Sequence, residues 1–218
     1  MTEACKNLFC AGVVIFGITS LAVVAVCVGV AVLSEFLFNV IVKKQQTISD
    51  LSAAVTGLLL ALNLPANVPL WQAAVGSIFA IIIVKCLFGG IGRNVVNPAI
   101  TARVFMLVAF GSMTTQAFPK NLDSVSGATP LADLANGTTP DLMDLFLGNV
   151  GGAIGETCSL ALLIGAVYLL IKKVISWHIP ISYIATVFVI SLIVEGFDVT
   201  KALAWVLSGG LIIGAFFM

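Results

Sequence analysis

Charge is the property that this sequence has least of. Only 9% of its 218 residues are Asp, Glu, Lys or Arg, whereas 60% are hydrophobic. A soluble domain carries about a quarter charged residues, so this chain has too few to cover a surface in water. Its ten basic and ten acidic residues cancel to a formal net charge of zero, which gives no argument for nucleic-acid binding. The composition predicts a protein of the lipid bilayer with no nucleic-acid partner.

Metal-ligand patterns are also missing. The five cysteines are scattered without a CxxC pair, and the single histidine, His178, has no second ligand nearby. We therefore expect buried free thiols and no metal site. The N-terminal stretch has neither a basic region nor a cleavage site, so no signal peptide is predicted.

Apolar runs separated by short polar joints fill the chain. The runs at 12–42 and 70–88 suit a bilayer-crossing helix, which needs roughly 20 residues. The remaining runs are shorter and interrupted by Gly, Asn or Pro, at 51–65, 99–110, 159–171, 179–194 and 202–218. Short broken runs are typical of discontinuous membrane helices, with tilted helices in a thin region as the alternative. The sequence predicts an all-α polytopic membrane protein that forms one membrane domain over 1–218.

Two segments resemble each other. "LSAAVTGLLLAL" at 51–62 and "LSGGLIIGAFFM" at 207–218 both begin with Leu-Ser, continue through small residues and end in an apolar run. Each follows an apolar span and a short polar joint. Two related repeats with a broken helix in each are a common plan for proteins with a site near the membrane midplane.

The charges indicate sidedness. If the runs cross in order, the cytoplasmic joints hold six basic residues, Lys43, Lys44, Lys85, Arg93, Lys172 and Lys173. The other side then holds two, Lys120 and Lys201. This bias obeys the positive-inside rule. It places the polar stretch 111–144 on the non-cytoplasmic side of a multi-pass protein of the plasma membrane.

That stretch contains "DSVSGATPLADL" at 123–134. Taken alone, its small polar residues and proline are typical of a turn. The Thr129 hydroxyl is nevertheless flanked by small residues that leave room for a bulky group, and Pro130 stiffens the exit. A phosphate ester on this hydroxyl would tether a cofactor to a loop between helices.

The segment "DSVSGAT" resembles the acceptor motif of extracytoplasmic flavin transferases, which join FMN through its phosphate to the motif's threonine. The pattern is filled by Asp123, Ser126, Gly127, Ala128 and Thr129. Three further segments, "DLSAAVTGLLLALNLP", "GGIGRNVVNPAITARVF" and "GGAIGET", occur with it in an order that resembles the D subunit of the Rnf complex. That complex is the ion-pumping ferredoxin:NAD oxidoreductase of bacterial membranes. The homologous B subunit of the sodium-pumping NADH:quinone reductase is the alternative.

The resemblance implies a covalent FMN on Thr129, acting as one station in a relay of single electrons, with riboflavin as a further candidate cofactor. It also implies a flavin transferase for maturation and other Rnf subunits as partners, so that the chain is not catalytic alone. The complex would couple electron flow to Na⁺ or H⁺ movement. A flavin-free channel or transporter is the alternative from another class. The chain departs from the family where Cys158 replaces a common serine and where it ends at "GAFFM".

A few polar residues inside or beside apolar runs are candidates for special roles. Arg103 would bind a flavin phosphate or form an ion pair with Glu35 or Glu156. Glu35 would otherwise extend toward the interface near Lys43 or pair there. Asn94 and Asn97 are predicted to cap the helix that follows, with contact to a cofactor as the alternative. Glu156 would serve an ion path or cap a helix.

Overall fold

The computed structural model describes residues 12, 13, 16–111, 133, 134, 136, 141–148, 150–208 and 210–217. Within these residues the secondary structure is helical, without strands, as the sequence predicted. The chain forms two compact units, one spanning Ile18–Thr115 and the other formed by the residues on either side of it. The five residues of the flavin acceptor motif lie outside the described residues, as does most of 111–144.

The first unit is built on one long helix, α1 (Ile18–Val42). A polar joint and a short 3₁₀ turn (Ile48–Asp50) lead into α2 (Ser52–Leu62). Helix α3 (Leu70–Ile78) continues without interruption as a π-helical segment (Phe79–Cys86), and α4 (Pro98–Ala109) completes the unit. The helix bounds agree with the predicted apolar runs, because each run ends where Pro, Gly or polar residues stop it.

Helix α1 packs against α2, α3 and the π-helical segment, and α4 packs against α2, α3 and the same segment. Small side chains let α1 and α2 approach closely. A Cβ atom added at Gly57 on α2 would lie 2.7 Å from the carbonyl oxygen of Cys27 and 2.9 Å from the Cβ of Ala31. Ala31 and Ala53 then form a buried cluster with Ile81 and Cys86.

The second unit contains α5 (Leu142–Leu147), α6 (Ser159–Ile171), α7 (His178–Val194), α8 (Val199–Leu207) and α9 (Leu211–Phe217). Helix α7 packs against α8 and α9, and α6 packs against α9 and α5. Asp198 begins α8 by accepting hydrogen bonds from the backbone N–H groups of Thr200 and Lys201. The apolar run 202–218, which was predicted to be interrupted, is divided in the structure between α8 and α9.

One helix in the described ranges, Ile18–Val42, is alone long and apolar enough to cross a membrane. Helices α8 and α9 meet that test only as a pair, with 56° between them. The other apolar helices have 10 to 17 residues. By length and composition alone, one or two such helices are weak evidence for a membrane protein, so the composition of the whole chain remains the stronger argument.

The prediction of buried free thiols is confirmed for two of the three cysteines that the structure describes. Cys27 and Cys86 are buried free thiols, and Cys158 is a half-buried free thiol. Cys5 and Cys10 lie outside the described residues. The described part of the chain contains no group of three or more His, Cys, Asp or Glu residues that could hold a metal ion.

The close approach at Gly57 yields a stability prediction. Gly57→Ala should lower the free energy of unfolding by about 1–3 kcal/mol, because the added methyl group meets backbone rather than a flexible side chain. Gly29→Ala on α1 is the matched control: a Cβ there meets nothing within 4 Å. It should be neutral or stabilise by up to about 1 kcal/mol. Detergent-titrated unfolding followed by circular dichroism measures both, and equal effects would contradict the packing described.

Candidate functional site

A charged pair is buried inside the first unit. The Nζ atom of Lys85 lies 2.8 Å from Oε1 of Glu35, and the two residues are 2% and 3% exposed. Charged residues are almost never buried to this extent without a partner. An ionisable residue inside an apolar membrane helix is also a functional candidate by default, because its placement is costly.

Local backbone geometry places each charge. Glu35 lies on α1, with Cys27 and Ala31 two turns and one turn before it on the buried face. Lys85 lies in the π-helical segment, which adds a residue to the turn without breaking the helix. An added residue rotates everything after it by about 100°. Ile81, Val84 and Lys85 are buried together in this segment, so the wide turn keeps the lysine on the side that faces Glu35.

Three polar side chains complete the cluster. The Lys85 ammonium also donates to Ser52 Oγ at 2.5 Å, and the Thr47 hydroxyl donates to Glu35 Oε1 at 2.9 Å. Asn39 Nδ2 donates to Thr47 Oγ1 at 3.1 Å. We call these five residues the Glu35 cluster: Glu35, Asn39, Thr47, Ser52 and Lys85. The second carboxylate oxygen, Oε2 of Glu35, is buried and has no hydrogen-bond partner in the part of the chain that the structure describes.

The joint between α1 and α2 forms the exposed side of the Glu35 cluster. Thr47 is exposed and Ser52 half-buried, so the polar side chains lead from the surface to the buried pair. Lys43 and Leu51, at either end of this joint, have φ values of 56° and 58°. Such left-handed conformations are uncommon for residues with side chains and persist where surrounding contacts fix them.

Asp50 extends the polar chain. Its Oδ1 atom accepts from the Ser52 N–H at 2.8 Å. Partial burial raises the pKa of Asp50. Hydrogen bonds from the Ser52 side chain and backbone, together with the Lys85 ammonium, outweigh that effect, so the pKa lies below its ordinary value. Lys85 therefore acts on two carboxylates: it is hydrogen-bonded to Glu35, and its charge helps to lower the pKa of Asp50.

The sequence analysis counted Lys85 among the cytoplasmic charges and did not foresee its burial. The side of the membrane on which it lies stays a prediction. Without Lys85, five basic residues on the cytoplasmic side against two on the other would keep the bias in the same direction. Apolar residues lie on both sides of this lysine in "IIIVKCLF". That pattern is the sequence signal that could have indicated its burial. Glu35 does form an ion pair, but its partner is Lys85, which the sequence analysis did not name. Its extension toward the interface is wrong, because the side chain is buried.

The other predicted residues have mixed outcomes. Asn97 is confirmed as the cap of α4, since its side chain accepts from the N–H groups of Ala99 at 3.0 Å and Ile100 at 3.4 Å. Glu156 closes a turn by accepting from the Ala153 N–H at 3.0 Å. Arg103 lies half-buried on α4, and its role toward a flavin phosphate stays a prediction. Asp123, Ser126, Gly127, Ala128 and Thr129 lie outside the described residues.

Comparison with known proteins assigns the chain to a family. A family model described as "NQR2, RnfD, RnfE family" matches residues 3–218. The chain belongs to this family. The resemblance inferred from the four sequence segments is thereby confirmed.

Its relatives include subunits of two kinds of complex. The D subunit of the Na⁺-translocating ferredoxin:NAD⁺ oxidoreductase complex from Acetobacterium woodii is 48% identical over 210 residues, covering 94% of this chain and 65% of that protein. The D subunit of the proton-translocating complex from Clostridium ljungdahlii is 37% identical over 224 residues, covering 95% and 68%. The B subunit of the Na⁺-translocating NADH-quinone reductase from Pseudoalteromonas atlantica is 39% identical over 178 residues, covering 75% and 44%.

The chain thus spans about two thirds of the length of the two D-type relatives and less than half of the B-type relative. All three relatives are named as subunits of ion-translocating oxidoreductases. Such complexes work across a membrane, and the apolar helices of this family member fit that setting.

The buried pair yields a second stability prediction. Lys85→Met should lower the free energy of unfolding by about 3–5 kcal/mol, because it leaves a carboxylate buried without its counter-charge. The double variant Glu35→Gln/Lys85→Met should recover most of that loss. Lys201→Met is the control, because its partner Glu195 is 3.8 Å away and the lysine is 27% exposed, so about 0–1 kcal/mol is expected. A double variant no more stable than Lys85→Met would contradict this account of the pair.

The electrostatics of the joint yield a titration prediction. The pKa of Asp50 should lie below its ordinary 3.8, and Lys85→Met should raise it by removing a cation. Because the folded-state pKa is depressed, the stabilisation from Asp50 is present above the ordinary value and lost as pH falls through the folded one. Carbon-13 NMR of labelled aspartate, assigned with Asp50→Asn, measures the value. A pKa at or above 3.8, or one unchanged by Lys85→Met, would contradict the described contacts.

Proposed function

We propose that this chain is the membrane-embedded electron-transfer subunit, of the D type, in an ion-translocating ferredoxin:NAD⁺ oxidoreductase complex. The acceptor motif at 123–129 carries this proposal, within a chain whose family and relatives are subunits of such oxidoreductases. The 48% identity to the D subunit from Acetobacterium woodii, and the higher coverage of both D-type relatives, favour this complex over the NADH:quinone reductase. Other subunits of the complex would supply and accept the electrons.

The cofactor part of the proposal rests on the sequence. FMN would be joined through its phosphate to the Thr129 hydroxyl by a flavin transferase, and when bound it would pass single electrons. Asp123, Ser126, Gly127 and Ala128 form the recognition pattern for that transferase, and Arg103 is a candidate for binding the phosphate. The positive-inside bias supports a non-cytoplasmic position for the loop 111–144 in a plasma-membrane protein.

The coupling part of the proposal rests on the Glu35 cluster. It contains the buried ion pair of the first unit, at the end of a polar chain that reaches the exposed joint. We therefore assign it to the ion-translocating function rather than to electron transfer. Relatives named for Na⁺ and for protons are both similar to this chain, so either ion is compatible with family membership.

The membrane plan is also a proposal. Helix α2, with 11 residues, is only about 17 Å long, whereas the hydrocarbon core measures about 30 Å. Helices α8 and α9 meet at 56° and pass the spanning test only together. These lengths support half-spanning helices in two related repeats, with Ser52–Leu62 and Leu211–Phe217 at corresponding places.

The flavin is tested by one substitution and one matched control. Expressed in membranes with its transferase, the chain should gain the mass of FMN less water, and its band should fluoresce after denaturing electrophoresis. Thr129→Ala should lose both signals completely, because the substitution removes the hydroxyl group to which FMN would be joined. Thr139→Ala, at the other threonine that directly precedes a proline in this stretch, should keep both.

An unmodified Thr129 beside an active transferase would overturn the flavin proposal. The alternative of a flavin-free channel or transporter would then be tested directly, by ion flux through the chain in the absence of redox substrates.

A further inference from the structure

The Lys85 ammonium is hydrogen-bonded to side-chain oxygen atoms. Its Nζ donates to Glu35 Oε1 at 2.8 Å and to Ser52 Oγ at 2.5 Å. The Thr47 hydroxyl lies on the same carboxylate oxygen at 2.9 Å. A carboxylate and hydroxyl groups are the kind of ligand that hard cations such as Na⁺ take. The ammonium therefore stands where a metal cation of the same charge would find its ligands.

The charge balance of the cluster makes this position exclusive. Glu35 supplies one negative charge and Lys85 one positive charge, so the buried pair is neutral while they touch. A second cation arriving at the carboxylate would meet the ammonium across a few ångströms of low-dielectric interior, which is strongly unfavourable. Among the described residues, Glu35 Oε2 is buried and makes no hydrogen bond. This second oxygen would therefore serve as an additional ligand once the ammonium has left.

Access to the cluster comes from the joint between α1 and α2. Residues 43–47 are exposed, and Thr47 connects this surface to the carboxylate through one hydrogen bond. A lysine on four methylene groups can withdraw its ammonium without moving the helix that carries it. The geometry therefore allows a cation to reach the carboxylate from the joint when the ammonium leaves.

We propose that Lys85 is a tethered competitor for the translocated cation at Glu35. Without the cation, its ammonium occupies the oxygen ligands. Binding of Na⁺ requires the ammonium to withdraw, so the apparent affinity equals the intrinsic affinity multiplied by the fraction of time the ligands are vacant. The lysine keeps the buried carboxylate neutralised between turnovers and weakens cation binding enough for release. This inference rests on the proposed function, and Lys85 acts in it as a positioning residue.

The test uses the whole complex in membrane vesicles. Ferredoxin-dependent NAD⁺ reduction is measured against Na⁺ concentration, with choline holding the ionic strength constant. Lys85→Gln removes the charge but keeps an amide that can donate to Glu35. It should lower the half-saturating Na⁺ concentration by about tenfold, as expected when a competitor that occupies the site most of the time is removed. Glu35→Gln should abolish the Na⁺ dependence.

Two controls separate competition from a structural effect. Lys201→Met, which removes a partly exposed lysine in the second unit, should leave the half-saturating concentration unchanged. Lys85→Arg keeps the positive charge and should stay within about threefold of the wild type, since the competitor is retained. A purely structural role of Lys85 would lower the maximal rate without shifting the half-saturating concentration.

An unchanged or increased half-saturating concentration in Lys85→Gln overturns the inference, as does a wild-type complex that works without any Na⁺ dependence. If Lys85→Gln does not assemble, Na⁺-induced infrared difference spectra of the wild type with isotope-labelled lysine decide. Coupled changes in the Glu35 carboxylate and lysine ammonium bands support competition, and their absence overturns it. Failure of the proposed function is distinct: the wild-type complex would then show no flavin and no ferredoxin-dependent activity.

Discussion

The contact between the Lys85 ammonium and the Glu35 carboxylate determines how the first unit can be built. Neither charge could be buried alone, because each would bear the desolvation of an isolated ion in an apolar interior. Their contact also joins three parts of the chain that are far apart in sequence: helix α1, the start of α2 and the π-helical end of α3. This contact is consistent with the close packing of α1 against α2. It is also consistent with the conformation of the joint between these two helices.

The redox assignment and the ion assignment therefore rest on different segments of the chain. The redox assignment depends on a short motif and on family membership, whereas the ion assignment depends on a buried cluster in the described residues of another segment. A complex that couples electron flow to ion movement needs both a redox group and a place where a cation is held. The chain offers a candidate for each, and helix α4 lies between them along the sequence.

The helices were largely predictable, because their bounds depend on local signals. Pro65 ends the apolar run of α2, Asn97 and Pro98 start α4, and Asp198 starts α8. The last run is divided between α8 and α9 beside Ser208, where the sequence predicted an interruption. The partner of Glu35, by contrast, was missed. An ion pair 50 residues apart in sequence depends on the register of two helices, and a π-helical turn that changes this register has no reliable sequence signal.

The contacts at Gly57 and Ser52 together fix the spacing of these two residues along helix α2. Gly57 is pressed against the backbone of α1 near Cys27, while Ser52, five residues earlier, must meet Lys85. Those five residues fix both a distance of about 7.5 Å and an angle, because each residue of an α-helix advances 1.5 Å and turns 100°. One residue inserted there would carry Ser52 to another face of α2, whereas one inserted among the exposed residues 44–46 would leave both ends in place. The exposed part of this joint therefore tolerates a change of length better than the helix that follows it.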